Sequence, residues 1–367
     1  LCTVTSQTKI ECTTVAGVGA NLQWSIIVGD QSAGPLASPT SYAAPVISSN
    51  VGDVAVTGSD TSINTSGGIS TVDIEGSNFG PLDTAVTATY GGTNGLKYGS
   101  GGSITCSVQT ADTKLRCQTV AGVGANHGWI VTVGTQTSGI KSSVTISYTA
   151  PRLDQISGKL VAGSSLGTTG GGTVMVLTGA NFGPDGAADV GASYGTYNAD
   201  LCTVTSQTKI ECTTVAGVGA NLQWSIIVGG QSAGPLASPT SYAAPVISSA
   251  AVNGGGTLST SGTSKTVNFV GENFGPIGTV VTATYGGTNG LKYVSGSFGS
   301  ITCSVQTDHT NLQCITTVPG VGADIKWIIT VASQSNNPLF QSTVAYTAPR
   351  LDQISGKLVA GSSLGTT

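Results

Sequence analysis

Catalysis needs side chains that can hold protons, electrons or metal ions, and this chain has few of them. The residues to weigh are the histidines His127 and His309, eight cysteines, and a loose acidic group of Asp185, Asp189 and Asp200. A hydrolase requires a nucleophile, a base and an orienting group held together. The histidines stand at non-equivalent places, His127 in a Gly-rich turn before Trp129 and His309 between Cys303 and Cys314. Both are expected to be solvent-facing turn residues. The acidic group lacks the alternating ligand pattern of a calcium loop. We therefore expect no catalytic residue, no metal site and no cofactor, and we do not expect an enzyme.

The cysteines fall as four local pairs, Cys2 with Cys12, Cys106 with Cys117, Cys202 with Cys212 and Cys303 with Cys314. An even count at recurring spacing in a chain with few charges points to disulfides made in an oxidising compartment. Zinc would need tight Cys-x-x-Cys or Cys/His clusters, which are missing. A gap of this length around a polar centre suits two adjacent strands and a short turn, so each bridge would staple a hairpin. For so small a loop the entropy model gives about 2–3 kcal/mol.

Two glycine-rich patterns resemble ligand loops. Gly-x-Asn-Phe-Gly-Pro occurs at Gly76–Pro81, Gly179–Pro184 and Gly271–Pro276. With no helix behind it and no following Lys-[Ser/Thr], it is turn chemistry and not a phosphate cradle. Its glycines tolerate positive φ, its Asn accepts a tight turn and its Pro ends the segment, so Phe79, Phe182 and Phe274 are expected to tuck under the reversal. Gly-Val-Gly-Ala leads into Trp24, Trp129, Trp224 and Trp327. It lacks the third glycine and the amphipathic helix of a dinucleotide site.

These patterns are parts of a repeat. Leu1–Ser49 returns at Leu201–Ser249 with one change, Asp30 to Gly230, and Thr149–Thr169 returns as Thr347–Thr367. Within this long period, the Asn-Phe-Gly turn, the cysteine pair with its Gly-rich turn, and a closing Tyr-[Ala/Thr]-Ala-Pro recur in order. The boundaries expected are the C-terminal half of a unit at 1–43, whole units at 44–148, 149–242 and 243–346, and the first strand of another at 347–367. Each unit offers short Val, Ile, Thr and Tyr runs broken by turn residues, the pattern of an all-β sandwich. Trp24, Ile26 and Val28 alternate, as do Trp129, Val131, Val133 and Trp327, Ile329, Val331, so each set is expected to face a core.

The ordered set of motifs (Pro-x-Ile, Gly-x-Asn-Phe-Gly, Cys-bracketed hairpin, Gly-rich turn, alternating strand, closing Tyr) resembles the IPT/TIG domains, immunoglobulin-like sandwiches of many surface proteins. The resemblance covers essentially the whole chain and implies an extracellular tandem array. One departure stands out. Pro151 is followed by Arg152-Leu153-Asp154, whereas Pro45 and Pro245 lead into Val-Ile-Ser-Ser, so the first strand is expected to differ in register between unit types.

Charged residues are 8% of the chain, with a net charge of −4 and only 13 Lys and Arg. That balance excludes a charged helix bundle and argues against nucleic acid as a partner. No apolar run approaches the roughly 20 residues a bilayer requires, so no membrane insertion is expected. The chain opens at Leu1 and its only Met is Met175, which suggests a processed product or a segment of something longer. Asn64-Thr65-Ser66 is a sequon, and Ser38, Thr40, Ser238 and Thr240 are candidate O-glycan sites, so covalent glycans are expected.

The function expected is structural. Identical lateral surfaces at fixed intervals let one favourable contact repeat into a polymer, so the partner is the chain itself, in an extracellular filament or surface layer. The alternative is a cell-surface adhesin or receptor ectodomain that presents a binding loop on such a rod. Completion of the 1–43 half by strand addition from another protomer is a further reading, set below a window on a longer chain.

Overall fold

The computed structural model describes residues 1–51, 62–67, 70–91, 97–99, 104–140, 144–158, 166–167, 169–286, 292–296, 299–337, 343–352, 358–359 and 363–364. They are β-strands and turns, with no helix among them, as the tandem immunoglobulin-like reading requires. They group into two compact units. One is Leu1–Gly158 with Val174–Thr214 and Gln223–Ser238, and the other is Lys159–Thr173 with Val215–Leu222 and Pro239–Thr367.

In the first unit, the described strands between residues 46 and 148 form one sheet around a core. Its strands run Val46–Val51, Thr71–Ser77, Lys114–Gln118, Ile104–Thr110, Val86–Gly91, His127–Val133, Thr145–Tyr148 and Ser62–Ile63 in spatial order. Pairing is antiparallel except between the last two. The β period of two places Val86, Ala88 and Tyr90 inward from one strand and Trp129, Val131 and Val133 from its neighbour. Together with Val72, Ile74, Leu115 and Phe79 they fill the core. Each fully buried side chain of this size is worth about 1.5–3 kcal/mol.

Residues 152–233 contribute two four-stranded sheets to the same unit. One orders Arg152–Gly158, Val174–Ala180, Lys209–Thr213 and Asp200–Ser206, and the other Tyr197–Asn198, Val190–Tyr194, Trp224–Val228 and Gln231–Ala233. Residues 1–43 contribute only two hairpins, Cys2–Ser6 with Lys9–Cys12 and Ile26–Val28 with Gln31–Ala33. In the second unit, Val246–Val252, Lys265–Glu272, Asn311–Thr316 and Ile301–Thr307 make one sheet. Lys292–Tyr293, Val281–Gly286, Lys326–Val331 and Gln334–Ser335 make the other, over a core built on Phe269, Tyr285, Trp327 and Phe274.

All the cysteine pairs are bridged, each within a hairpin. Cys106 sits directly across from Cys117, and Cys303 from Cys314.

The opening strands share one register, contrary to the difference expected from their sequences. Val46, Arg152 and Val246 pair with Ser77, Ala180 and Glu272, and a bulge follows the next residue each time. The cause is the first glycine of the Asn-Phe-Gly motif. A β-carbon at Gly76, Gly179 or Gly271 would collide with the carbonyl oxygen of Val46, Arg152 or Val246. Close backbone approach therefore pins the register whatever side chains follow the proline. These first glycines do not take positive φ. The turn is made, as expected, by Asn78, Asn181 and Asn273 at φ 63–64° and by Gly80, Gly183 and Gly275 at +85°. Phe79, Phe182 and Phe274 are fully buried beneath it.

Two further expectations change. His127 is not solvent-facing but wholly buried at the head of the Trp129 strand, and His309, in its turn, is half-buried. Trp24, Ile26 and Val28 are exposed, because no second sheet covers them among the described residues.

Candidate functional site: the joint between successive sandwiches

Within each compact unit, the polar and apolar contacts that recur lie where one sequence repeat hands over to the next. Each handover begins with the closing tyrosine. The hydroxyls of Tyr42, Tyr148, Tyr242 and Tyr346 donate to the carbonyls of Val15, Val120, Val215 and Val318 at 2.5, 2.8, 2.5 and 3.1 Å. Their rings occupy the space a side chain at Gly17, Gly122 or Gly320 would need, which explains the first glycine of the Gly-Val-Gly turn. Around Tyr148 the bonds form a chain. Tyr148 donates to Val120, so the Tyr90 hydroxyl, 2.8 Å away, donates to Tyr148 and accepts from the Val120 N–H. Burial pushes both phenols well above their ordinary value.

The turn and the linker are then gripped by residues of the following repeat. In the first unit, Asn78 Nδ2 donates to the Ala44 carbonyl at 2.8 Å and Gln136 Nε2 to the Tyr42 carbonyl at 3.0 Å. Asn181 donates to Ala150 at 3.0 Å and Gln231 to Tyr148 at 3.3 Å. In the second unit, Asn273 donates to Ala244 at 3.1 Å and Gln334 to Tyr242 at 2.8 Å. Beside these bonds, the γ-methyls of Val18, Val123 and Val218 fill the space over Gly80, Gly183 and Gly275. A final contact joins loop to hairpin tip. Thr65 Oγ1 donates to Gln207 Oε1 at 2.5 Å, and Thr169 Oγ1 pairs with His309 Nδ1 at 2.7 Å. His309 is thus a joint residue.

The motifs that looked like ligand loops are the two halves of this joint. The Gly-Val-Gly turn supplies the valine knob and the Asn-Phe-Gly-Pro turn supplies the glycine floor. The hairpin tip after the Trp strand matters too. Gly134 and Gly229 lie against Gly19 and Gly124, leaving no room for larger side chains. The one difference between the long copies, Asp30 against Gly230, falls on this tip.

His127 sits just behind the joint. Its Nε2 lies 3.0 Å from the carbonyl of Val123, the knob residue, and its Nδ1 makes no hydrogen bond. Tyr90, Tyr98 and Tyr148 surround the ring at 6.2, 5.2 and 5.6 Å between centroids. Burial holds its pKa below the ordinary 6.5. Leu222 and Ile325 stand at the same position elsewhere, so the site is a core position that here carries an imidazole. On the sheet face, Arg116 and then Lys114 hold the sheltered Asp73 carboxyl below 3.8, through contacts of 2.7 and 2.9 Å.

Asp185, Asp189 and Asp200 are exposed, and among the described residues no three potential ligands gather to hold a metal. Of the glycan candidates, Asn64, Ser38, Thr40 and Ser238 are exposed. Thr240 is 2% exposed with its hydroxyl turned to the Leu222 carbonyl, so it is not open to modification in this fold. Sequence reasoning placed Asn78 and its counterparts in the turn but missed their bonds to the linker, and it missed Gln136 and its counterparts. Gln136, Gln231 and Gln334 recur seven residues after each Trp, a signal present but masked by the stronger Cys and Gly motifs.

Residues 164–242 match the family model of the IPT/TIG domain. That segment is an IPT/TIG domain. Its Asn-Phe-Gly turn, bridged hairpin and closing Tyr242 recur in the neighbouring units. No curated protein matches the chain.

Among solved structures, the plexin A4 extracellular region, domains 1 to 10, is 13% identical over 77% of this chain, with a TM-score of 0.22. The surface glycan-binding protein PbSGBP-B from Prevotella bryantii is 15% identical over 52%, with a TM-score of 0.33. Invasin, a bacterial integrin-binding protein, is 15% identical over 79%, with a TM-score of 0.24. The chain spans 22%, 41% and 57% of these three. The disulfides favour an extracellular location, and no helix of the described residues is long and apolar enough to cross a membrane.

Proposed function

We propose that this protein is a non-catalytic structural element, a tandem IPT/TIG array that self-assembles into an extracellular filament or surface layer and carries glycans at exposed sites such as Asn64. The observation that supports this is the repetition of one joint with the same residue types in the same roles, as at Val123, Gly183, Asn181 and Gln231. A flexible display stalk needs only a tether between domains. Here two carbonyls of the linker, those of Tyr148 and Ala150, each have a side-chain donor, and the Val123 turn is seated on the Gly183 turn of the next repeat. Repeated units carry the same lateral surface, so a favourable contact made by one can be made by the others and propagate. Low charge weakens repulsion between neighbouring arrays.

Negative-stain imaging of the purified chain across a concentration series tests the reading. Filaments with a regular axial repeat are expected. Dispersed single molecules at every concentration would favour an adhesin or receptor ectodomain instead.

A further inference from the structure

The turn that presents the Val123 knob is held from behind by two side chains. The Tyr98 hydroxyl donates to the Val123 carbonyl at 2.6 Å and accepts from the Val123 N–H at 2.9 Å. His127 Nε2 lies 3.0 Å from the same carbonyl. A carbonyl only accepts, so in the neutral ring Nε2 carries the hydrogen and Nδ1 the lone pair. On its other side the turn meets the next repeat, with Val123 over Gly183 and Gly124 against Gly229. His127 therefore reaches the joint through a single residue.

The ring is wholly buried, and its Nδ1 has no hydrogen-bond partner. The titratable groups that face it are Tyr90 from Val86–Gly91, Tyr98 from Lys97–Tyr98 and Tyr148 from Thr145–Tyr148, with Lys97 exposed beside Tyr98. None of these is a carboxylate. The phenol hydrogens are committed to Tyr148, Val123 and Val120. A proton added at Nδ1 would create a buried cation without a counter-charge, a state relieved when the ring swings out to water. That movement withdraws Nε2 from the Val123 carbonyl.

We propose that His127 is a proton-operated latch on the joint between the 44–148 and 149–242 sandwiches. The neutral imidazole holds the Val123 turn against Gly183 and Gly229, and uptake of a solvent proton at Nδ1 releases it. A released ring protonates near 6.5, whereas burial holds the enclosed ring lower, so release gains as pH falls below 6.5. The other joints lack this device. Leu22 and Leu222 occupy the position in the turns that meet Gly80 and Gly275. His309 pairs with the Thr169 hydroxyl at 2.7 Å, and a hydroxyl both donates and accepts, so that contact survives protonation. The latch rests on the fixed joint and not on the filament reading, because a dispersed chain carries the same joint.

The test uses the full chain with spin-labelled unnatural amino acids at the exposed positions Ser107 and Thr203, diluted into unlabelled chain. Pulsed dipolar spectroscopy is run from about pH 7.5 to about pH 5, across the ordinary imidazole value of about 6.5. The distance distribution is expected to be narrow at the upper end and to broaden reversibly below about 6.5, the released fraction rising about tenfold per pH unit. The near-ultraviolet signal of the buried tryptophans is expected to hold over the same range. His127→Leu places here the side chain of Leu22 and Leu222, and His127→Gln keeps an amide donor for Val123. Each is expected to stay narrow throughout, and if one fails to fold the other decides. A wild-type distribution still narrow at about pH 5 overturns the latch, as does equal broadening in a folded variant. Loss of the tryptophan signal together with the broadening also overturns it, because acid then unfolds the sandwich. A distribution already broad at about pH 7.5 overturns the fixed joint itself, and the latch with it.

Discussion

Val123 closes one sandwich and Gly183 opens the next, and the valine γ-methyl occupies the volume a β-carbon on Gly183 would take. This knob and floor recur at Val18 with Gly80 and at Val218 with Gly275, always with an asparagine and a glutamine clamping the linker between them.

Gly183→Ala therefore should loosen the joint without touching the core of either sandwich. Overpacking costs about 1–3 kcal/mol, with further strain because φ is +85° there. Protease cleavage in the linker near Ala150 should accelerate, while the near-ultraviolet signal of the buried tryptophans stays. Combining the change with Val123→Ala should recover part of the loss as a coupling of about 0.5–3 kcal/mol. Strict additivity would mean the two residues are not in register.

The Cys106–Cys117 bridge closes a short hairpin between two strands of the 44–148 sandwich. Cys106→Ser is expected to lower the stability of the 44–148 sandwich by about 2–3 kcal/mol. This should appear in calorimetry as one transition moving down while the others hold. An unmoved transition under oxidising conditions would remove the bridge from the account.

Acid should act on the 44–148 sandwich in two steps. Burial depresses the pKa of His127 in the fold, so the unfolded chain binds a proton more readily. The stability tied to neutral His127 is complete above 6.5 and is lost as pH falls below it. The groups facing the ring are the neutral phenols of Tyr90, Tyr98 and Tyr148, and none supplies a counter-charge. His127→Leu should abolish this first step. Asp73 is depressed chiefly by its bond to Arg116, so its contribution is present above 3.8 and disappears as pH falls through the lower folded value. Arg116→Met should shrink only that second step. Unfolding midpoints between pH 3 and 8 for the two variants separate them.

The sandwich class was legible because alternation after each tryptophan and the buried phenylalanine of each turn are local signals. Trp129, Val131 and Val133 face the core as their period of two demands. The shared register of the opening strands was hidden, since it depends on Gly76 meeting the Val46 carbonyl, a contact between residues far apart in sequence. His127 misled for a related reason. A polar residue among glycines looks like turn surface until the tyrosines that enclose it are brought in from three other strands. The joint was legible only as unexplained motifs, because its halves belong to different domains.

The fixed joint is the central claim, and a distance across it is its most direct test. Spin labels carried by unnatural amino acids at the exposed positions Ser107 and Thr203 span the joint made by Val123 and Gly183. Pulsed dipolar spectroscopy should return one narrow distribution that broadens when Asn181→Ala and Gln231→Ala are introduced together. A wild-type distribution as broad as that of the double variant, or of a chain with glycines inserted after Ala150, would contradict it.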